Sequence, residues 1–131
     1  MCAKNMRAVD TNLLVRLLVR DDVEQVTAAE AFVKNGAWVS HVVLVETLWV
    51  LEAGYERSAT QIAKAIELLL NHNHLTLQDA DVVASALESF QVRPSLGFSD
   101  CMVLESARKS GHLPLGTFDK GLAKLADVSR L

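Results

Sequence analysis

The run Ala8-Val9-Asp10-Thr11-Asn12-Leu13-Leu14 decides the fold class of this 131-residue chain. Two apolar residues end abruptly in an acid, a hydroxyl and an amide, as a buried strand does where it enters a helix cap. Leu13, Leu14, Leu17 and Leu18 follow at helical spacing and stop at Arg20-Asp21-Asp22. A strand feeding directly into a helix is the opening of an α/β chain.

The same alternation continues outward. Val23 to Lys34 reads as a second helix, with Val26, Ala29 and Val33 on one face, ended by Asn35-Gly36. Ala37 to Ser40 is a short strand, and Val42 to Ala53 is a helix closed by Gly54. Ser58 to Leu70 is helical, Leu75 to Leu77 a third strand, and Asp79 to Phe90 helical again. Phe98 to Ser110 forms a helix that stops at Gly111, and Leu113 to Phe118 is the fourth strand. Lys120 to Leu125 then reads as a short helix and Val128 to Leu131 as an edge strand. Strands separated by helices predict a parallel sheet covered on both faces. No repeat or linker interrupts the pattern, so residues 1–131 read as one domain, with Met1 to Asn5 a disordered polar lead.

Half the residues are hydrophobic, which excludes a disordered chain. The net charge of −3 excludes a protein that holds nucleic acid by bulk positive charge. It leaves room for a nuclease, because a bound divalent ion reverses the local sign. Cys2 and Cys101 are too few for a disulfide framework and read as free thiols of a reducing compartment. The apolar stretch Val42 to Leu51 is too short to span a bilayer, and nothing resembles a signal peptide, so a soluble cytoplasmic protein is expected.

Four acids stand out. Asp10 and Asp119 each precede a helical pattern and each also fits a simple N-cap. Asp100 falls in a helix's first turn, where the macrodipole favours any acid. Glu46 is flanked by Val42, Val43, Leu44 and Val45 on one side and by Leu48, Trp49, Val50 and Leu51 on the other. A helix apolar around its circumference is expected to be buried, leaving no polar face for a carboxylate. Such a group must be protonated, paired or bound to metal. In a parallel sheet ligands collect beyond the carboxyl ends of the strands. Asp10 and Asp119 follow strands directly, while Glu46 and Asp100 lie in the opening turns of helices, the ends that face the same edge. Carboxylates gathered there repel one another, and all-oxygen ligation selects Mg²⁺ or Mn²⁺. Such a site suits hydrolysis of phosphodiesters.

Asp10-Thr11-Asn12-Leu13-Leu14-Val15-Arg16, the helical Glu46, Phe98-Ser99-Asp100-Cys101-Met102 and Thr117-Phe118-Asp119 together resemble the PIN-domain family, with the nearest likeness to its VapC-type toxins. The likeness runs from Met6 to Leu131 in the family's order and spacing. It implies a three-layer α/β/α domain with a central parallel sheet of four to five strands. It implies a Mg²⁺-dependent endoribonuclease (Mn²⁺ as a substitute) with Asp10, Glu46, Asp100 and Asp119 as ligands and catalytic acids, leaving 5′-phosphate and 3′-hydroxyl ends. Asn12 and Thr117 match the family's supporting hydrogen-bond positions. A homodimer, and a small antitoxin whose C-terminal segment lies across the site, are implied as partners beside the RNA substrate. Gly97 stands where relatives often carry a further Asp, which leaves the site less negative.

Arg16, Arg20 and Lys120 flank the Asp motifs and are candidates for substrate phosphate contacts, although each also fits a solvated charge at a helix end. His72 and His74 bracket a polar turn and read as solvated, His41 lies five residues before Glu46, and His112 follows a turn. Leu48 and Trp49 read as core or dimer contacts. Two other function classes fit these residues: a PIN-fold module that binds RNA or protein with little turnover, and another metal-dependent phosphotransfer enzyme. Against the second, Asn12 cannot protonate a leaving group as the second acid of an Asp-x-Asp phosphatase pattern does.

Overall fold

The strand-to-helix transition occurs at Asp10. In the computed structural model, which describes residues 6–131, β1 (Arg7–Ala8) runs into α1 (Thr11–Val19). Asp10 itself is extended, and its Oδ1 accepts from the Leu13 N–H at 2.9 Å. The Met1 to Asn5 lead and Cys2 lie outside the described residues. The chain divides into two compact units, Met1–Ala80 and Asp81–Leu131.

In the first unit, α2 (Val23–Val33) is capped by Asp22 and leads to β2 (Ala37–Val39). Ser40 caps α3 (His41–Gly54), Ser58 and Gln61 form a capping box on α4 (Ala59–Leu70), and β3 (Leu75–Leu77) follows. The strands pair in parallel in the order β1-β2-β3, with Ala8 opposite Trp38 and Val39 opposite Leu77. Their carboxyl ends therefore share one edge, which holds Asp10, Ser40 and Gln78. Leu14, Val33, Val39, Leu44, Ile66 and Leu69 are buried almost completely.

One expectation fails here. Helix α3 is not buried all round. Leu44, Thr47, Leu48 and Leu51 face inward, but Val42 and Trp49 are 77% and 67% exposed, and Glu46 is exposed with them. The apolar residues of α3 cover two faces, and among the described residues only one is covered. Burial therefore does not oblige Glu46 to bind metal, and Trp49 is not a core residue.

In the second unit, α5 (Ala80–Val92) is followed by a 3₁₀ turn, Pro94–Leu96, and α6 (Phe98–Ser110). Phe90 and Phe98 meet edge to face, with ring centroids 6.1 Å apart. Gly111, at φ 76°, ends α6 in the left-handed conformation. Strand β4 spans only Leu115–Thr117, because Pro114 has no amide proton to offer a ladder. It pairs in parallel with β5 (Val128–Arg130). The expected helix after Asp119 is only a 3₁₀ turn, Leu122–Lys124. The α/β alternation and the all-parallel pairing are as the sequence predicts, with the five short strands arranged as two ladders. Among the described residues no helix is long and apolar enough to cross a membrane.

Candidate active site

The first unit carries two of the four acids on neighbouring elements, the turn after β1 and helix α3. Asp10 sits beyond the end of β1 as the cap of α1, and Thr11 is the first residue of that helix. The Thr11 hydroxyl donates to Glu46 Oε1 across 35 residues of chain. The turn that carries Asp10 and the helix that carries Glu46 are thus tied by a hydrogen bond to a charged acceptor. Gln78 closes the same strand edge: its Oε1 accepts from the His41 N–H at 2.9 Å, and its carbonyl accepts from His41 Nε2 at 2.7 Å. His41 is therefore a structural tie between the start of α3 and the end of β3.

The other two acids come together in the second unit. Asp119 follows β4, and its Oδ2 accepts from the Leu122 N–H at 2.7 Å, while its own N–H donates to Thr117 Oγ1 at 3.0 Å. Thr117 thus holds the backbone of Asp119. Asp100 lies in the first turn of α6, half-buried. Its carboxyl is held above the usual range, first by burial and then by the charge of Asp119. Asp119 is therefore close enough to disfavour the ionisation of Asp100, a state that a cation relieves. Among the described residues, neither unit by itself gathers three His, Cys, Asp or Glu side chains in ligating range.

The supporting residues divide differently from the sequence expectation. Asn12 is exposed and lines a cavity of about 360 Å³ with Leu13, Arg16, Gln25 and Phe32, and its side chain makes no hydrogen bond to an acid among the described residues. Its neighbour Thr11, missed by the sequence reading, does so instead. A hydroxyl directly after the first Asp was the available signal. Arg16 is held by Gln25, Tyr55 and Asp21, and its pKa is raised first by the Tyr55 hydrogen bond. Arg20 pairs with Glu30 at 3.1 Å. Of the three proposed phosphate contacts, Lys120 alone makes no ion pair among the described residues. His72 and His74 stack edge to face at 5.8 Å, and the His74 N–H donates to His72 Nδ1. Burial, then the neighbouring His74, lowers the His72 pKa.

Gly97 stands in a conformation that explains its identity. Its φ of 80° and ψ of 144° are strained for any L side chain, although open space lies around it. An Asp there would lack steric obstruction yet carry the backbone penalty. Cys101 is free and buried, its thiol pushed up to about 11 by burial and then by Asp100.

Comparison with known proteins bears on the family. The model of the PIN domain family matches residues 7–128. A VapC ribonuclease of Aquifex aeolicus (strain VF5) is 25% identical over 126 residues, covering 92% of this chain and 92% of that protein. No solved structure matches the chain.

Proposed function

Because the chain belongs to the PIN-domain family, we propose that it is a VapC-type endoribonuclease using Mg²⁺, or Mn²⁺, held by Asp10, Glu46, Asp100 and Asp119. The carrying observation is that Thr11, beside Asp10, holds Glu46 in the first unit, while in the second the charge of Asp119 helps raise the Asp100 carboxyl. In this reading residues 1–131 act as one domain.

The donor set fits that ion, since four carboxylates supply only hard oxygen ligands and would otherwise resist ionisation together. When bound, a divalent ion supplies water activation and charge neutralisation at the scissile phosphate. The protein's own groups hold and aim the acids. Thr11 fixes one oxygen of Glu46, and Thr117 fixes the backbone of Asp119, so neither carboxylate has to be ordered as substrate arrives. Lys120 contacts a substrate phosphate, whereas at Arg16 and Arg20 a phosphate has to displace Asp21 and Glu30. The exposed face of α3 with Val42 and Trp49 pairs with a second copy in a homodimer. A small antitoxin encoded nearby restrains the enzyme in the cytoplasm.

The test is cleavage of structured RNAs by the wild type with Mn²⁺ or with EDTA, beside Glu46→Gln and Asp119→Asn. Metal-dependent cleavage lost in both variants is expected. RNA left intact under every metal condition overturns the reading in favour of a PIN-fold binding module, which Gly97 favours. Release of phosphate from small monoesters points instead to a phosphotransfer enzyme.

A further inference from the structure

Cations are scarce in this acidic chain, and several of those described are spent on internal pairs: Arg16, Arg20, Arg108 and Lys109 each hold an acid. Around Asp119 the pattern reverses. Arg93, Lys120 and Lys124 are all exposed and make no ion pair among the described residues. Arg93 and Lys124 line one cleft of about 380 Å³, together with Ser95, Leu96 and Gly121. That cleft adjoins the acid. A Cβ placed on Gly121 would lie 3.3 Å from both Asp119 Oδ2 and Leu96 Cδ2, so the glycine keeps open the passage between Asp119 and the cleft. One residue before Asp119, the ring of Phe118 is 79% exposed. An unpaired cation pair, an open cleft and an uncovered aromatic beside one carboxylate are the parts with which proteins track single-stranded nucleic acid: charge for the backbone, a ring for a base.

We infer that Arg93 and Lys124 hold backbone phosphates of a single-stranded RNA flanking the scissile bond, and that Phe118 stacks one of its bases. This rests on the nuclease reading and adds to it the substrate's form: an unpaired segment entering past Gly121. A duplex would not offer Phe118 an unstacked base. The second cavity that Arg93 borders contains Glu88 and the Glu105–Arg108 pair. Its acids turn a phosphate chain away on that side and leave the Lys124 side as the path.

The experiment measures binding of a fluorescein-labelled oligoribonucleotide in EDTA, which withholds the metal that cutting requires, by fluorescence anisotropy over a salt series. Asp10→Asn and a Lys64→Gln control on α4 are run alongside. Each phosphate contact to a single strand contributes about 0.7 to the slope of log K against log salt, so Arg93→Gln with Lys124→Gln should flatten it by about 1.4. Arg93→Lys with Lys124→Arg should restore the slope. Phe118→Ala should weaken binding about 10-fold with the slope unchanged, as loss of one stacking contact does. An unchanged slope in the double glutamine variant overturns the phosphate assignment, and unchanged affinity in Phe118→Ala overturns the stacking. If the wild type cleaves RNA while these variants bind like it, the inference fails and the nuclease reading stands. If the wild type binds as described but never cleaves, the nuclease reading fails alone.

Discussion

Asp10 has two jobs that substitution can separate. Its Oδ1 caps α1 through the Leu13 N–H at 2.9 Å, and its carboxylate is the first proposed ligand of the ion. Asparagine caps a helix about as well as aspartate, whereas alanine forfeits the bond at a cost of about 1 kcal/mol. Asp10→Asn should therefore melt within about 1–2 °C of the wild type without metal, and Asp10→Ala roughly 3–5 °C lower. Function should divide along the other line. An amide oxygen is a weak ligand, so both variants should lose at least about 100-fold in RNA cleavage. Both should also lose most of the melting-temperature rise that Mn²⁺ gives the wild type, which at 100 times its dissociation constant is worth about 2.7 kcal/mol. Differential scanning fluorimetry with and without Mn²⁺, paired with a gel cleavage assay, reads both quantities. If Asp10→Asn cleaves like the wild type, Asp10 is only a cap, and the argument from strand ends to metal collapses.

Four other outcomes follow from single features. Thr11→Val removes the hydroxyl that holds Glu46 and should raise the Mn²⁺ concentration needed for half-maximal cleavage about 10–100-fold, with little change in melting temperature; an unaltered metal titration would assign Thr11 no positioning role. Thr47 is fully buried with no partner for its hydroxyl among the described residues, so Thr47→Val should gain about 1 kcal/mol in urea unfolding, and a loss would mean the hydroxyl is satisfied after all. The Cys101 thiol, pushed up to about 11, stays protonated at neutral pH, so peptide-level mass spectrometry of the native protein should find it unalkylated by iodoacetamide at pH 7.5 and accessible only after unfolding. Trp49→Asp should leave the fold intact and shift sedimentation from dimer to monomer; a dimer that persists places the interface elsewhere.

Much of the candidate site was legible because its signals are local. A cap is chosen within three residues of chain, so Asp10 before Leu13-Leu14 and Asp119 after a strand were readable where they stand. Thr117 was readable for the same reason, since its hydroxyl acts on a backbone amide two residues away. Glu46 shows the opposite case. Its apolar neighbours correctly predicted a helix and misled about burial, because periodicity says that a helix has apolar faces and not which of them this chain covers.

Sequence alone determined the α/β alternation, the parallel pairing, and the order of the four acids, since each depends on propensity, capping and spacing along the chain. Only tertiary structure decided that Thr11 rather than Asn12 reaches an acid, that α3 turns Val42 and Trp49 outward, and that Arg93 and Lys124 share a cleft beside Asp119. Those facts join residues tens of positions apart, and the packing that brings such residues together leaves no periodic trace in either segment.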